Sequence, residues 1–325
     1  MSAPSESPCT WFVDWTDEEN DGFLAACGDL AIEPRLVRSA PTGATVGSPG
    51  HRSKSYPEYG RLALRALRRR DRPAVFWQPL AAIPALLGRF GPRPPIIVLA
   101  PILFNEGGGR KQALIIKALE RADRIIFLSS VQADEAVALG VRRELIEVMP
   151  LGIRAVVDQP VGPGEFLLAG GREHRDWPLM AKASVGVPKP VRIGAPNLPP
   201  DTGGLDVVPP LSREDYNATL VKASALVVPL IDARRPAGLL AILQAISFGI
   251  PVIATRGPLT ETYLTPESGI LVDAGDVEGM HNALVRLCDN DVVRTLGAGA
   301  LAEATGRLSL ATFVDNVHSL AEEVA

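Results

Sequence analysis

Short β-branched runs alternate with amphipathic helical stretches along almost the whole chain. Strands are expected at 11–15, 35–38, 74–77, 96–100, 124–129 and 146–149, then at 165–170, 191–194, 225–229, 251–254 and 270–272. Helical periodicity marks 17–27, 58–70, 80–89, 111–121 and 131–139, and later 176–184, 213–223, 239–248, 277–287, 292–304 and 311–323. Strand–helix–strand order of this kind builds parallel sheets with helices on both faces. The alternation pauses at 153–164, where Pro160, Gly162, Pro163 and Gly164 suit a hinge. The pattern therefore predicts an α/β chain of two doubly wound, Rossmann-like domains, 1–155 and 156–309. A polar stretch, 39–56, reads as a loop on the first of them.

A chain of 325 residues is long for one core and comfortable for two. With 46% hydrophobic and 22% charged residues it is not a disordered chain. A net charge of −4 gives no general attraction to nucleic acid or to an acidic membrane, so no nucleic-acid partner is expected. Cys9, Cys27 and Cys288 stand too far apart to suggest a metal cluster or a disulfide framework. The opening ten residues lack a secretory pattern, and the longest apolar run, near 94–104, is short for a bilayer span. A cytoplasmic protein is the expectation. Two doubly wound sheets facing one another would place the carboxyl ends of their strands at a central cleft, where such sheets bind small molecules.

Two segments are more specific. Residues 120–154 read ERADRIIFLSSVQADEAVALGVRRELIEVMPLGIR. Residues 227–255 read VVPLIDARRPAGLLAILQAISFGIPVIAT and lead through Gly257 and Glu261 to SGILVDAGD at 268–276. Together they resemble the retaining GT-B glycosyltransferases of family GT4, over about 123–296 and more thinly before that. The resemblance implies a GT-B fold, with the closing helix, 310–325, packed back on the first domain. It also implies a nucleotide-diphosphate sugar as donor substrate, an acceptor hydroxyl, retention of anomeric configuration, no metal and no further cofactor.

An apolar strand at 165–170 runs into Gly170 and Gly171, followed by Arg172 and Arg175. Glycines let a backbone approach a ligand, and guanidinium groups pair with phosphate oxygens. On residue grounds alone, a solvated loop pairing these arginines with Glu173 and Asp176 is the competing reading. The resemblance assigns Arg172 and Arg175 to the donor diphosphate, where they would act catalytically by stabilising the leaving group. His174 reads as a loop residue rather than a general base.

Ala237, Gly238 and Leu239 open a helix whose first N–H groups could hold an anion, or could be a plain glycine-containing start. The resemblance places the donor phosphate there. It also places Gln244 and Pro236 at the two positions where the family carries a pair of glutamates, the second of which binds the ribose hydroxyls. A neutral amide accepts a hydrogen bond worth about 0.5–1.5 kcal/mol, against roughly 1.5–3 for a charge-assisted one. Weaker nucleotide binding follows, and with it an alternative: a catalytically weak or inactive nucleotide-sugar-binding subunit of the same fold. Glu261 reads as a structural carboxylate at a helix entry.

Acceptor-side candidates in the first half are Asp14 and Gln78, each after a strand, and Asn105 and Gly108 in a triple-glycine loop. Each has a competing reading as a cap or a solvated loop residue. The acceptor would be a small molecule or a glycolipid. Arg61, Arg65, Arg68, Arg69 and Arg72 could touch anionic lipid, but the modest apolar face opposite favours solvation, so membrane-surface contact is not the favoured reading. Asp289 and Asp291 join two helices and read as a turn, not a metal site.

Overall fold

The computed structural model describes residues 4–13, 17–38, 51–88, 93–99, 109–171, 174–195, 198, 200–209, 211, 213–233 and 237–325. They form two compact units, Met1–Leu151 with Leu310–Ala325, and Gly152–Ser309.

In the first unit, six strands form one parallel sheet. They are β2 (Thr10–Val13), β4 (Leu36–Arg38), β5 (Ala74–Phe76), β6 (Ile96–Leu99), β7 (Arg124–Phe127) and β8 (Ile146–Val148), in the order β4-β2-β5-β6-β7-β8. A separate two-stranded parallel pair joins β1 (Ser5–Glu6) to β3 (Ile32–Glu33). Strands β2, β5 and β6 are buried along their whole length, the pattern of a parallel sheet covered on both faces. Alternate residues divide between two cores. Phe12, Phe76, Val98, Ile125 and Phe127 face a core shared with α2 (His51–Arg68), α3 (Pro79–Leu87), α4 (Arg110–Leu119) and α5 (Ser130–Ala138). Trp11, Val13, Val75, Ile97 and Ile126 face the other, with α1 (Asp17–Asp29) and α12 (Leu310–Val324).

Helix α12 buries Phe313, Val314, Val317, Leu320 and Ala321 in that second core. Each large apolar side chain removed from water contributes about 1.5–3 kcal/mol before entropy is counted. Two polar contacts at His318 Nε2 fix the helix's rotation: Trp11 Nε1–H donates to it at 3.2 Å, and Ser7 Oγ lies 3.3 Å from it. The imidazole accepts there, so its proton sits on Nδ1, which is buried without a hydrogen-bond partner among the described residues.

In the second unit the sheet order is β11-β10-β9-β12-β13-β14, all parallel. The strands are β9 (Phe166–Ala169), β10 (Val191–Ile193), β11 (Leu205–Val207), β12 (Ala223–Val228), β13 (Val252–Thr255) and β14 (Gly269–Val272). Helices α6 (Trp177–Ala183), α7 (Arg213–Leu220), α8 (Leu239–Ser247), α9 (Pro258–Tyr263), α10 (Val277–Arg286) and α11 (Asn290–Thr305) complete it. From β9 the chain winds outward to β10 and β11, then crosses back through α7 to β12 on the other side of β9. Loops leaving the carboxyl ends of β9 and β12 therefore part in opposite directions and open a crevice, the place where such sheets take ligands. In the first unit the corresponding reversal lies between β2 and β5.

Three expectations need correction. Residues 153–164 are not slack: Ile153 N–H donates to Leu308 O at 2.8 Å, Val156 N–H to Ser247 O at 2.9 Å and Val161 N–H to Phe248 O at 3.1 Å. These bonds stitch the stretch onto the second unit, so the chain passes between units at Leu151–Gly152 and again at Ser309–Leu310. Residues 51–56, expected within a loop, are helical, with Pro57 inside α2. Proline costs a helix one backbone bond, and no further breaker stands between His51 and Pro57. Strand β11 was not expected; it is three residues long, lies at the sheet edge and is followed closely by Pro209 and Pro210. No described helix is long and apolar enough to cross a membrane.

Burial pushes the His318 pKa from 6.5 down to about 4, against the opposing pull of Asp315. In the unfolded chain the ring takes its proton at about pH 6.5. The neutral imidazole therefore contributes stability in full above about pH 6.5 and loses it as pH falls toward about 4. Thermal unfolding followed from pH 7.5 to 4 should show a steeper fall in Tm for the native protein than for His318→Gln. Parallel curves would refute this role for His318.

Candidate functional site

The turn that follows β9 begins at Gly170 and Gly171. Gly171 has φ +114°, a left-handed conformation that glycine adopts without steric cost. Past 172–173, which lie outside the described residues, His174 is exposed and also left-handed, with φ +55°. Left-handed backbone in a residue other than glycine needs support from its surroundings. Three backbone contacts supply it. Ile231 N–H donates to His174 O at 3.0 Å, Asp176 N–H donates to Pro229 O at 3.0 Å, and Arg175 pairs with Leu230 in an antiparallel bridge. The loops after β9 and β12 are thus sewn together across the crevice.

Arg175 is the centre of this arrangement. It is 7% exposed, and its Nε–H donates to the Gly170 carbonyl at 2.8 Å. The guanidinium lies over Gly171 so closely that a Cβ on that residue would collide with it. A Cβ on Gly238 would stand 3.1 Å from Arg175 Nη2 and 2.7 Å from Val228 Cγ1. The double glycine was expected to let the backbone approach a ligand; at Gly171 the space is filled by Arg175 instead. The competing reading, in which Asp176 pairs with an arginine in a solvated loop, meets a different use of that carboxylate: it caps α6, accepting from Leu179 N–H at 3.0 Å. Arg172 lies outside the described residues.

Gly238 is the N-cap of α8, with φ +88° and no side-chain cap on the helix end. Ala237 is half-buried and Leu239 buried. The amino end of α8 therefore brings its positive dipole to the same crevice as the guanidinium. Gln244, further along α8, donates through Nε2 to Asn217 Oδ1 on α7. That bond orients the amide and leaves Oε1 as its acceptor. Pro236 lies outside the described residues.

A further residue enters that sequence reasoning did not single out. Tyr216, on α7, packs its ring against Gly170: a Cβ there would stand 3.0 Å from Cε2 and 3.2 Å from the hydroxyl oxygen. The hydroxyl is buried without a hydrogen-bond partner among the described residues. Burial pushes its pKa up to about 12, opposed by the nearby charge of Arg175. Nothing in the polar octapeptide REDYNATL marks this tyrosine. Only the crossover that returns α7 to the switch point gives it a place.

In the first unit, Gln78 follows β5 at the sheet reversal and precedes α3 as its N-cap, with an extended backbone and no side-chain cap bond. Asp14, Asn105 and Gly108 lie outside the described residues. Glu261 sits in the first turn of α9, 3.5 Å from Arg256. Asp289 caps α11 by accepting from Asp291 N–H at 2.8 Å, and Asp291 pairs with Arg294 at 2.6 Å, so both carboxylates serve a helix end.

Comparison with known proteins agrees with the fold. Residues 195–290 match the family model described as glycosyl transferases group 1. A D-inositol 3-phosphate glycosyltransferase of a Nocardioides strain is 37% identical over 99 residues, which are 30% of this chain and 21% of that protein. The chain thus matches about a fifth of that relative's length. Among solved structures, HepE of Anabaena in complex with UDP and glucose superposes with TM-score 0.66 at 14% identity, covering 97% of this chain and 99% of that one. The sucrose-phosphate synthase of Thermosynechococcus elongatus gives 0.67 at 16% identity, covering 98% of each chain. The fold is accordingly that of the GT-B glycosyltransferases, and residues 195–290 are similar to the group 1 glycosyl transferases.

Proposed function

We propose that this protein transfers a sugar from a nucleoside diphosphate donor to an acceptor hydroxyl, with retention of configuration and with protein groups rather than a metal balancing the leaving charge. The observation that carries the reading is the buried guanidinium of Arg175 set beside the amino end of α8, whose N-cap Gly238 makes no side-chain cap bond, at the reversal between β9 and β12. Cleavage of the glycosyl bond builds negative charge on the departing diphosphate. A guanidinium and a helix amino end fixed in advance stabilise that charge without reorganising during the reaction. The UDP-bound relative and the group 1 match support the donor class. Retention and metal independence rest on the motif resemblance.

In this reading Arg172 and Arg175 hold the diphosphate, Gly170, Gly171, Ala237, Gly238 and Leu239 shape its site, and Gln244 accepts from a ribose hydroxyl through Oε1. The donor is a substrate, and no further cofactor is called for. Acceptor binding is assigned to the first unit, to Gln78 with Asp14, Asn105 and Gly108, and the acceptor is a small molecule or a glycolipid.

Calorimetric titration with UDP, GDP and ADP and their glucose conjugates should find binding by at least one. Arg175→Gln should weaken it by about tenfold to a hundredfold, the worth of a charge-assisted hydrogen bond. Undiminished sugar transfer by Arg172→Gln/Arg175→Gln would discard the assignment, and binding without turnover on any acceptor would favour the binding-subunit alternative. Turnover in EDTA should match turnover without it.

The same site makes a stability prediction. Gly171→Ala meets both a left-handed φ and the Arg175 guanidinium. Gly275→Ala meets only the φ, since nothing lies within 4 Å of its Cβ position. Urea unfolding should show a loss of about 1 kcal/mol at position 275 and roughly 2–3 kcal/mol at position 171. Equal losses would show that the guanidinium yields freely.

A further inference from the structure

Tyr216 combines three features that its packing alone leaves unused. Its hydroxyl is buried without a partner among the described residues, it lies against Gly170 at the carboxyl end of β9, and Arg175 is near enough to act on it electrostatically. A buried hydroxyl left unpaired costs stability, so folded chains retain few of them without reason. The ring could fill the same space as phenylalanine. Helix α7 also runs opposite to the strands it connects, so its first turns lie at the ligand end of the sheet. The neighbouring residue, Asn217, bonds Gln244 on α8, which ties this part of α7 to the donor side of the unit.

We propose that Tyr216 is a donor-positioning residue whose hydroxyl donates a hydrogen bond to an oxygen of the donor's diphosphate. The proposal rests on the donor-site reading above and adds to it a neutral donor beside the cationic one. Arg175 balances charge but, as part of a buried network, is held by Gly170. A phenol packed against Gly170 fixes the diphosphate's orientation. With its pKa raised to about 12, the phenol keeps its proton throughout the neutral range and acts only as a donor toward an anion. The ligand supplies the acceptor that the protein withholds.

The test is Tyr216→Phe in the full-length protein, titrated with inorganic pyrophosphate and with UDP and melted without ligand. Affinity for both probes should fall about tenfold to a hundredfold, while the unligated Tm holds or rises because an unpaired buried hydroxyl has been removed. Affinity for pyrophosphate within twofold of the native protein would overturn the assignment of Tyr216 while leaving the donor site in place. A drop of several degrees in the unligated Tm would also overturn it, since the hydroxyl would then serve the fold. Failure of the native protein to bind either probe would overturn the donor-site reading itself, and this proposal with it.

Discussion

The guanidinium of Arg175 occupies space that side chains at Gly171 and Gly238 would otherwise need, and much of the second unit's functional end is organised around it. Its Nε–H bond to Gly170 ties the side chain to the end of β9, and its backbone bridge to Leu230 ties the main chain to the end of β12. A charge removed from water in this way is expensive unless its surroundings hold it. Once held, it is worth more to an incoming anion than a solvated arginine, because little reorganisation remains to be done. The glycines follow from the arginine: each is the residue that leaves room for a cation at a strand reversal.

The fold was legible where the physics is local. Strands buried on both faces need nearly continuous apolar runs, and Phe166–Ala169, Ala223–Val228 and Val252–Thr255 advertise themselves that way. Leu205–Val207 does not, because an edge strand of three residues buries too little to impose a pattern. The Pro–Gly stretch at 153–164 misled for a physical reason. Proline restricts the backbone and glycine frees it, and a tightly bonded surface segment uses both as readily as a flexible linker does.

The site divides in the same way. Gly170, Gly171 and Arg175 form a short-range spacing, and Gly238 stands recognisably at a helix start; the structure brings all three glycines to Arg175. Tyr216 lies some forty positions from Arg175 in the chain, in a helix whose composition is unremarked. Its relation to Gly170 exists only because the strand order reverses between β9 and β12, a property of topology and not of any local pattern. Gln244 shows the converse. Its departure from a carboxylate is plain in the sequence, while the partner that orients it, Asn217, emerges only from the packing of α7 against α8.

The placement of α12 has a consequence for how the molecule is made. The first unit draws its last helix from Leu310–Val324, after the whole second unit has been translated. Until that helix leaves the ribosome, Trp11, Cys9 and Phe23 lack the cover that Phe313, Val314 and Val317 give them. The second unit, continuous from Gly152 to Ser309, has all of its own residues earlier. Vectorial synthesis therefore lets the later-encoded unit close first, and the nascent first unit waits, incompletely cored, for α12.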